Sequence, residues 1–385
     1  LVDPLAEAIA PVLPPAAVPT TKGAPLPIMG SLAPVCQEQE FDWEGVGRPR
    51  HREEHLVVYE MRIRDFTAGA ASGVVEERQG TYAGALERIG YLSRLGVTAV
   101  MLHPVTTTAP GAPQDAYPVH FAAPTPDLAA GKGPLDAPEE FKFLVRELHR
   151  AGIEVLLQVE YGPTGEGVDA APVPVSFRGL DASEYYLKDL EGAAITLEGS
   201  GALSCNNPPV RQLIVESLRR WALDYHVDGF VFRGAEALTR EHPSGSPMAQ
   251  PPIVEEMAFD PVLRGCRLVA HPGNYEGLPG GERFPHWGIW GEINRHYGRE
   301  VHAYLIGSKA VPQSVVATRL SGSSDLLSAI RRPGLGYNAI SRLDGPGLME
   351  MCGRSPGLAR THFMALLVSQ GVPIIPMGDE VGAGR

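Results

Sequence analysis

The chain has 385 residues, of which 44% are hydrophobic and 20% charged, and its formal net charge is −12. This length is enough for one large barrel domain or for two ordinary domains. An acidic chain without a long basic run is not a general nucleic-acid binder, and none of its apolar runs approaches the roughly 18 residues that cross a bilayer. Neither nucleic acid nor a membrane is therefore predicted as a partner.

The first part of the chain, residues 1–40, is rich in proline and alanine and has no helical or strand periodicity, as in "APVLPPAAVPTTKGAPLPIMG". Such composition is typical of a linker or of the remnant of a preceding module. From residue 56 onward, short apolar runs alternate with amphipathic segments. We therefore divide the chain into a linker-like segment, 1–40, and a folded domain, 41–385.

The folded part alternates predicted strands with predicted helices. Strands are predicted at 56–61, 97–102, 153–159, 230–232, 267–270, near 339–343 and at 372–377. Helices are predicted at 81–95, 292–305 and 357–369, and in the segments "DAPEEFKFLVRELHRAG" and "NNPPVRQLIVESLRRWALDYH". Asp136 and Glu139 have the spacing of a capping box in the first segment, and Asn207 is the expected cap in the second, with Pro208 opening the helix.

Alternating strands and helices, with strands that are nearly continuous apolar runs, predict a parallel sheet covered by helices. The strand count approaches eight, which favours a closed (β/α)8 TIM barrel, in the α/β class, over an open sheet. No GxGxxG follows the first strand, which argues against dinucleotide binding. Four widely spaced cysteines (Cys36, Cys205, Cys266, Cys352) lack the spacing of a zinc site and are predicted to be reduced thiols, so no metal or cofactor is expected.

Barrel enzymes place their functional side chains at the carboxyl ends of the strands. Here the third strand ends in "QVEYGPTGEG", the fourth in "FVFRGA", the fifth in "LVAHPGNY" and a later one in "ISRLDGPG". The fourth strand thus ends on Arg233, a guanidinium that neither attacks nor takes up a proton at neutral pH.

Six long blocks between residues 41 and 380 resemble isoamylase-type starch debranching enzymes of the α-amylase superfamily: "VVYEMRIRDFT", "GTYAGALERIGYLSRLGVTAVMLHPV", "EFKFLVRELHRAGIEVLLQVEY", "CNNPPVRQLIVESLRRWALDYHVDGFVF", "FPHWGIWGEINRHYGREVHAYLIG" and "ALLVSQGVPIIPMGDE". The resemblance implies a glycoside-hydrolase-like barrel over 41–385, preceded in the family by a carbohydrate-binding β-sandwich and followed by a C-terminal β-domain. Here the flanking domains are expected to be largely absent and the last outer helix truncated, with 1–40 a linker or a remnant of the N-terminal module.

The resemblance also implies hydrolysis of α-1,6 branch points with retained configuration. That chemistry uses an Asp nucleophile and a Glu acid/base, while a further Asp holds the distorted substrate. At the three matching positions this sequence has Arg233, His271 and Asp344, so only the last carboxylate remains. The closest resemblance is accordingly to the catalytically inactive isoamylase subunits of plants and green algae.

The resemblance implies a non-catalytic partner of a catalytic isoamylase subunit, acting on branched α-glucan in the plastid, with Asp344, Tyr161 and Trp287 as substrate-binding residues. Trp287 and its neighbour Trp290 are expected either to stack on sugars or to lie in the core. Two other hypotheses stay open. One is a weakly active or re-specialised retaining glycosidase using other carboxylates, and the other is a glucan-binding module without an enzyme partner.

These hypotheses differ in the roles that they give to particular side chains. Arg233 is expected to form a structural ion pair with Asp344, or else to hold a glucan hydroxyl. His271 is expected to be a hydrogen-bonded pocket histidine. The glycosidase hypothesis relies on a replacement pair of Glu160 and Asp344, or on the further candidates Glu236 and Asp228, although Asp228 precedes its strand and so points to the wrong end of a barrel.

Overall fold

The computed structural model describes residues 5–6, 10–11, 31–32, 40–108, 117–133, 135–164, 176–189, 191–197, 199–271, 273, 284–285, 288–326 and 333–383. Eight parallel strands form a closed barrel in this part of the chain. In chain order they are β1 Val58–Met61, β2 Ala99–Leu102, β3 Glu154–Glu160, β4 Gly229–Arg233, β5 Arg267–His271, β6 Gly291–Ile293, β7 Gly336–Asn338 and β8 Val372–Pro376. The prediction of a (β/α)8 barrel is confirmed.

Each barrel strand pairs with its neighbours in the sequence of strands, and β8 pairs with β1 to close the ring. The register sets three residues side by side at the carboxyl ends of β3, β4 and β5: Glu160 lies opposite Arg233, and Arg233 lies opposite His271. Because the strands are parallel, these side chains meet at one mouth of the barrel.

Side chains alternate between the barrel interior and the layer between strands and helices. The interior is filled mainly by aliphatic side chains, with one methionine and one tyrosine: Val58, Ala99, Met101, Leu156, Val231, Val269, Ile293, Tyr337, Val372 and Ile374. The opposite faces of the same strands pack against the helices, where Phe230 and Phe232 join the larger outer core with Trp221. The interior is thus a packed core, which leaves the strand ends to carry the functional side chains.

The helices cover the outside of the barrel: α1 Ile63–Phe66, α2 Tyr82–Glu87, α3 Ile89–Leu95, α4 Asp136–Arg150, α5 Arg178–Tyr185, α6 Pro208–Leu223, α7 Pro252–Phe259, α8 Arg295–Leu305, α9 Gln313–Leu320, α10 Leu348–Met351 and α11 Pro356–Val368. In α4 the predicted apolar stripe is buried, including Phe141, Leu144 and Leu148. The predicted capping box is wrong, because α4 begins at Asp136 itself, whose Oδ2 accepts a hydrogen bond from the amide of Gly133 at 2.7 Å.

Two further predictions differ from the structure. The helix predicted at 81–95 is two helices, α2 and α3, because the backbone at Arg88 leaves the helical region (φ −105°, ψ 4°). The strand predicted near 339–343 is instead β7, Gly336–Asn338, and β6, Gly291–Ile293, overlaps the start of the helix predicted at 292–305. Both strands have three residues, too few for a periodic pattern to show.

Most of the predicted linker, 1–40, lies outside the described residues, so the proposed division of the chain stays a prediction. The stretch that follows packs against the helices. The Trp43 ring stacks on His226 with centroids 3.7 Å apart, and the guanidinium of Arg146 lies 5.4 Å from the Phe41 ring. The three described cysteines, Cys205, Cys266 and Cys352, are free thiols. Among the described helices, none has both the length and the apolar character needed to cross a bilayer.

Candidate functional site

A cavity of about 340 Å³ opens at the carboxyl ends of the barrel strands. Its described lining combines side chains from most of the strand ends, including Glu60, His103, Gln158, Arg233, His271 and Asp344, together with four further arginines, Arg62, Arg295, Arg299 and Arg342. Three of the sequence-predicted positions, Arg233, His271 and Asp344, therefore face the same cavity.

Arg233, at the end of β4, contacts the carboxylate of Glu160 at the end of β3. Arg233 Nη1 lies 3.7 Å from Glu160 Oε2, and the Glu160 side chain is only 3% exposed, against 28% for Arg233. The ion pair expected at Arg233 thus has Glu160 as its partner. Asp344, the expected partner, instead has its Oδ1 3.4 Å from Arg342 Nε on the same loop.

His271, at the end of β5, is held neutral by its surroundings. Burial, followed by the nearby guanidinium of Arg342, lowers the pKa of His271 to about 4, although the carboxylates of Glu60 and Asp344 act in the opposite direction. Arg342 Nη2 lies 3.5 Å from His271 Nε2, and His271 Nδ1 is buried with no hydrogen-bond partner among the described residues. A histidine that loses its proton near pH 4 is a poor general acid at neutral pH.

Sequence reasoning missed the pair formed by Glu60 and His103. Glu60 lies near the end of β1, and its Oε1 is 2.9 Å from His103 Nε2, just beyond β2. Both residues are buried. The signal for this pair in the sequence is the position of each residue near a strand end.

The predicted aromatic contacts with substrate do not lie in the described part of the cavity. Tyr161 is buried between the barrel and α6, where its hydroxyl is 3.0 Å from Ser217 Oγ and its ring packs 4.9 Å from Phe121. That placement favours a core role over glucan contact. Trp287 lies outside the described residues. Trp290 is fully buried and packs 4.8 Å from Phe232, so of its two expected roles the core role fits.

The two remaining carboxylate candidates are bound to other elements. Asp228 lies at the amino end of β4, where its Oδ2 accepts a hydrogen bond from the Val155 amide at 2.8 Å and lies 2.7 Å from His149 Nε2. It is therefore at the opposite end of the barrel from the cavity, as the sequence predicted. Glu236 accepts a hydrogen bond from the Gly273 amide at 2.9 Å and does not line the cavity.

A closed (β/α)8 barrel with acidic, basic and histidine side chains gathered at its carboxyl mouth has the architecture of the TIM-barrel enzymes. Comparison with known proteins narrows this class. The chain is 37% identical to "Isoamylase 3, chloroplastic" from Oryza sativa subsp. japonica, over 90% of this chain and 51% of the relative. It is 34% identical to "Isoamylase 2, chloroplastic" from Arabidopsis thaliana, over 96% of this chain and 43% of the relative.

Solved structures agree on the fold. The pullulanase SAP from Group B Streptococcus superimposes with a TM-score of 0.78 at 18% identity, over 99% of this chain and 53% of that protein. None of the protein-family models compared with the chain matches it. On its sequence relatives, the chain belongs to the isoamylase-type debranching proteins of the α-amylase superfamily. It spans about half the length of these curated relatives.

Proposed function

We propose that this chain is a non-catalytic, glucan-binding subunit that assembles with a catalytic isoamylase. The observation that carries the proposal is the row of side chains Glu160, Arg233 and His271 at the mouth, where the family resemblance places the Asp nucleophile at position 233 and the Glu acid/base at position 271. Retaining glycosidases need two carboxylates about 5 Å apart, one of which bonds to the sugar carbon while the other protonates the leaving oxygen.

Three of the described carboxylates at the mouth have a basic neighbour. Glu60 is 2.9 Å from His103, Glu160 is 3.7 Å from Arg233, and Asp344 is 3.4 Å from Arg342. A carboxylate that neutralises a neighbouring base has less negative charge available to stabilise a cationic sugar carbon. This supports the proposal against a re-specialised glycosidase that would use Glu160 and Asp344 as its pair.

Arg233 also opposes the reaction by its charge. The transition state of glycoside hydrolysis carries positive charge on the sugar ring, and a guanidinium placed where the nucleophile belongs repels it. Two unit charges about 4 Å apart interact by roughly 4 kcal/mol at an effective dielectric near 20, or about three decades in rate. The lost nucleophile adds to that penalty.

The relatives support the remaining parts of the proposal. Two of them are named as chloroplastic isoamylases, which favours the plastid as the location and branched α-glucan as the ligand. A chain that keeps the barrel while losing the reactive side chains has its remaining surface available for glucan and for another subunit. The retained function is then assembly with a catalytic isoamylase and binding of glucan at the mouth.

The proposal is tested by mixing the full chain with a catalytic plant isoamylase. We expect the two to co-elute in size-exclusion chromatography, and we expect this chain alone to be retarded in native gels containing amylopectin. Gels without glucan are the control. Retardation without co-elution would reject the partner and favour a glucan-binding module that acts alone. Co-elution without retardation would reject glucan binding by this subunit.

A further inference from the structure

Guanidinium groups are concentrated at the mouth of the barrel. The chain as a whole is acidic, with 33 Lys and Arg against 45 Asp and Glu. The described lining of the cavity reverses this balance, because five arginines stand against two carboxylates, Glu60 and Asp344. The excess is local and belongs to the cavity.

These arginines come from different elements, and two of them lie beside His271. Arg233 is the neighbour of His271 in the register of β4 and β5, and Arg342 Nη2 lies 3.5 Å from the His271 ring. Arg295, the first residue of α8, donates a hydrogen bond to the carbonyl of Gly273 at 2.7 Å. Arg62 Nη1 lies 3.5 Å from the carbonyl of Leu343, next to Arg342. Arg233 and Arg342 therefore flank His271, and the other arginines line the same cavity.

Arg233 is held loosely by its acidic neighbour. Its Nη1 is 3.7 Å from Glu160, longer than the 2.7–2.9 Å typical of a charge-assisted hydrogen bond. At the other end of the barrel, Arg267 contacts both oxygens of Glu154, at 2.6 and 3.0 Å. A guanidinium has five N–H donors, and the one long contact with Glu160 does not saturate those of Arg233.

His271 adds a polar atom without a partner. Its Nδ1 is buried and has no hydrogen-bond partner among the described residues, although the ring lines the cavity. Buried polar atoms are nearly always hydrogen-bonded in folded proteins, so the His271 ring keeps an unused hydrogen-bonding atom beside the cavity. Burial is the main cause of the lowered pKa of His271, and Arg342 and Arg233 also act to lower it, in agreement with the basic surroundings.

We propose that the mouth cavity binds a phosphate monoester, with Arg233 and Arg342 as its principal contacts. Planar guanidinium groups match the oxygens of a phosphate and can contact it through two parallel hydrogen bonds. A volume of about 340 Å³ also lies in the range of pockets that hold a small ligand such as one sugar unit. The phosphate is carried either by a glucosyl unit of a branched glucan or by a free sugar phosphate. Only the first source rests on the proposed function.

The test is calorimetric titration of the full chain at low ionic strength with maltotetraose, maltotetraose carrying a 6-phosphate, and glucose 6-phosphate. We expect the phosphorylated tetrasaccharide to bind tighter than the neutral one by roughly tenfold to a hundredfold, since hydrogen bonds to charged groups have this strength. Added salt should reduce that ratio. Equal affinities for the two tetrasaccharides would overturn the proposal.

Substitutions test whether the preference for the phosphorylated ligand arises in the cavity. Arg342→Gln, on an exposed loop, should remove most of the preference for phosphate, and Arg233→Gln should do the same if the variant folds. Arg52→Gln is the matched control, because Arg52 is 79% exposed and does not line the cavity. A preference that survives Arg342→Gln, or that is lost equally in Arg52→Gln, would contradict the assignment.

The three titrations also distinguish glucan binding from phosphate binding. They further distinguish a phosphate carried by glucan from a free sugar phosphate. If glucose 6-phosphate binds through Arg342 while neither tetrasaccharide binds, the phosphate site stands with a free sugar phosphate as its ligand, and the proposed glucan binding fails. If both tetrasaccharides bind equally and glucose 6-phosphate does not bind, glucan binding stands and the phosphate site fails. Tighter binding of the phosphorylated tetrasaccharide than of either other ligand assigns the phosphate to glucan.

Discussion

Removing the Arg233 side chain should destabilise the fold, because it leaves the Glu160 carboxylate buried without its basic neighbour. Glu160 is 3% exposed and lies 3.7 Å from the guanidinium. At that distance two unit charges interact by about 4 kcal/mol at an effective dielectric near 20, and breaking one side of a buried pair typically costs about 3–5 kcal/mol. Since Arg233 is 28% exposed, solvent screens part of this interaction, and we expect Arg233→Met to lower the free energy of unfolding by about 2–3 kcal/mol.

The assay is urea denaturation of four proteins: wild type, Arg233→Met, Glu160→Gln and the double variant. If Arg233 acts mainly on Glu160, the double variant should be more stable than the sum of the single effects predicts, by about 1 kcal/mol or more. Arg52→Met is the control, because Arg52 also lies 3.7 Å from a glutamate, Glu54, but both side chains are largely exposed. That control should change stability by less than about 0.5 kcal/mol.

Two results would refute this reasoning. The first is an Arg233→Met variant within about 0.5 kcal/mol of wild type, which would mean that Glu160 does not need the guanidinium. The second is strict additivity in the four-protein comparison, which would mean that the two side chains do not interact across the 3.7 Å that separates them.

Three further predictions follow from the site and the core. The His271 ring should titrate near pH 4 by NMR, and because the unfolded state binds this proton nearer pH 6.5, stability should fall as pH drops from 6.5 towards 4. A titration midpoint above 6 would contradict the burial of that ring. The His271→Gln variant should weaken the pH dependence of stability without abolishing it, because the pKa of His226 is also lowered to about 4. Asp228→Ala should lower the free energy of unfolding in urea by about 3 kcal/mol, because the buried His149 and the Val155 amide lose their hydrogen-bond partner. A decrease below about 1 kcal/mol would contradict that role of Asp228. Trp290→Phe should lower stability by about 1–3 kcal/mol while leaving maltotetraose affinity within about twofold, and a large loss of affinity would show that Trp290 stacks on sugar after all.

The sequence predicted the barrel because most strands are continuous apolar runs bounded by helices with clear stripes. The six strands predicted at or near their observed positions, β1 to β5 and β8, have four residues or more, whereas β6 and β7 have three each and were missed or misplaced. A strand of three residues, such as the "GEI" of β6, is too short to show a period. Closure of the barrel depends on these short strands all the same.

The candidate site was predicted in position but not in its contacts. The strand ends located Arg233, His271 and Asp344 at one mouth, since parallel strands carry their carboxyl ends to the same side. The partner of Arg233 was wrong, because which of two carboxylates a long side chain contacts depends on register and loop geometry. Glu160 is its neighbour across the ladder, whereas Asp344 is on a loop beside Arg342. The gathering of Arg62, Arg295 and Arg342 from separate elements left no local pattern in the sequence.

The most direct test of whether the chain is non-catalytic is an assay of amylopectin turnover by the purified full-length chain alone. Turnover is measured as the release of reducing ends. We expect no release above that of a buffer blank, because the mouth presents an arginine and a neutral histidine where hydrolysis needs two carboxylates. Turnover that is present in the wild type and disappears in Glu160→Gln or Asp344→Asn would contradict it, since those carboxylates would then be performing the chemistry.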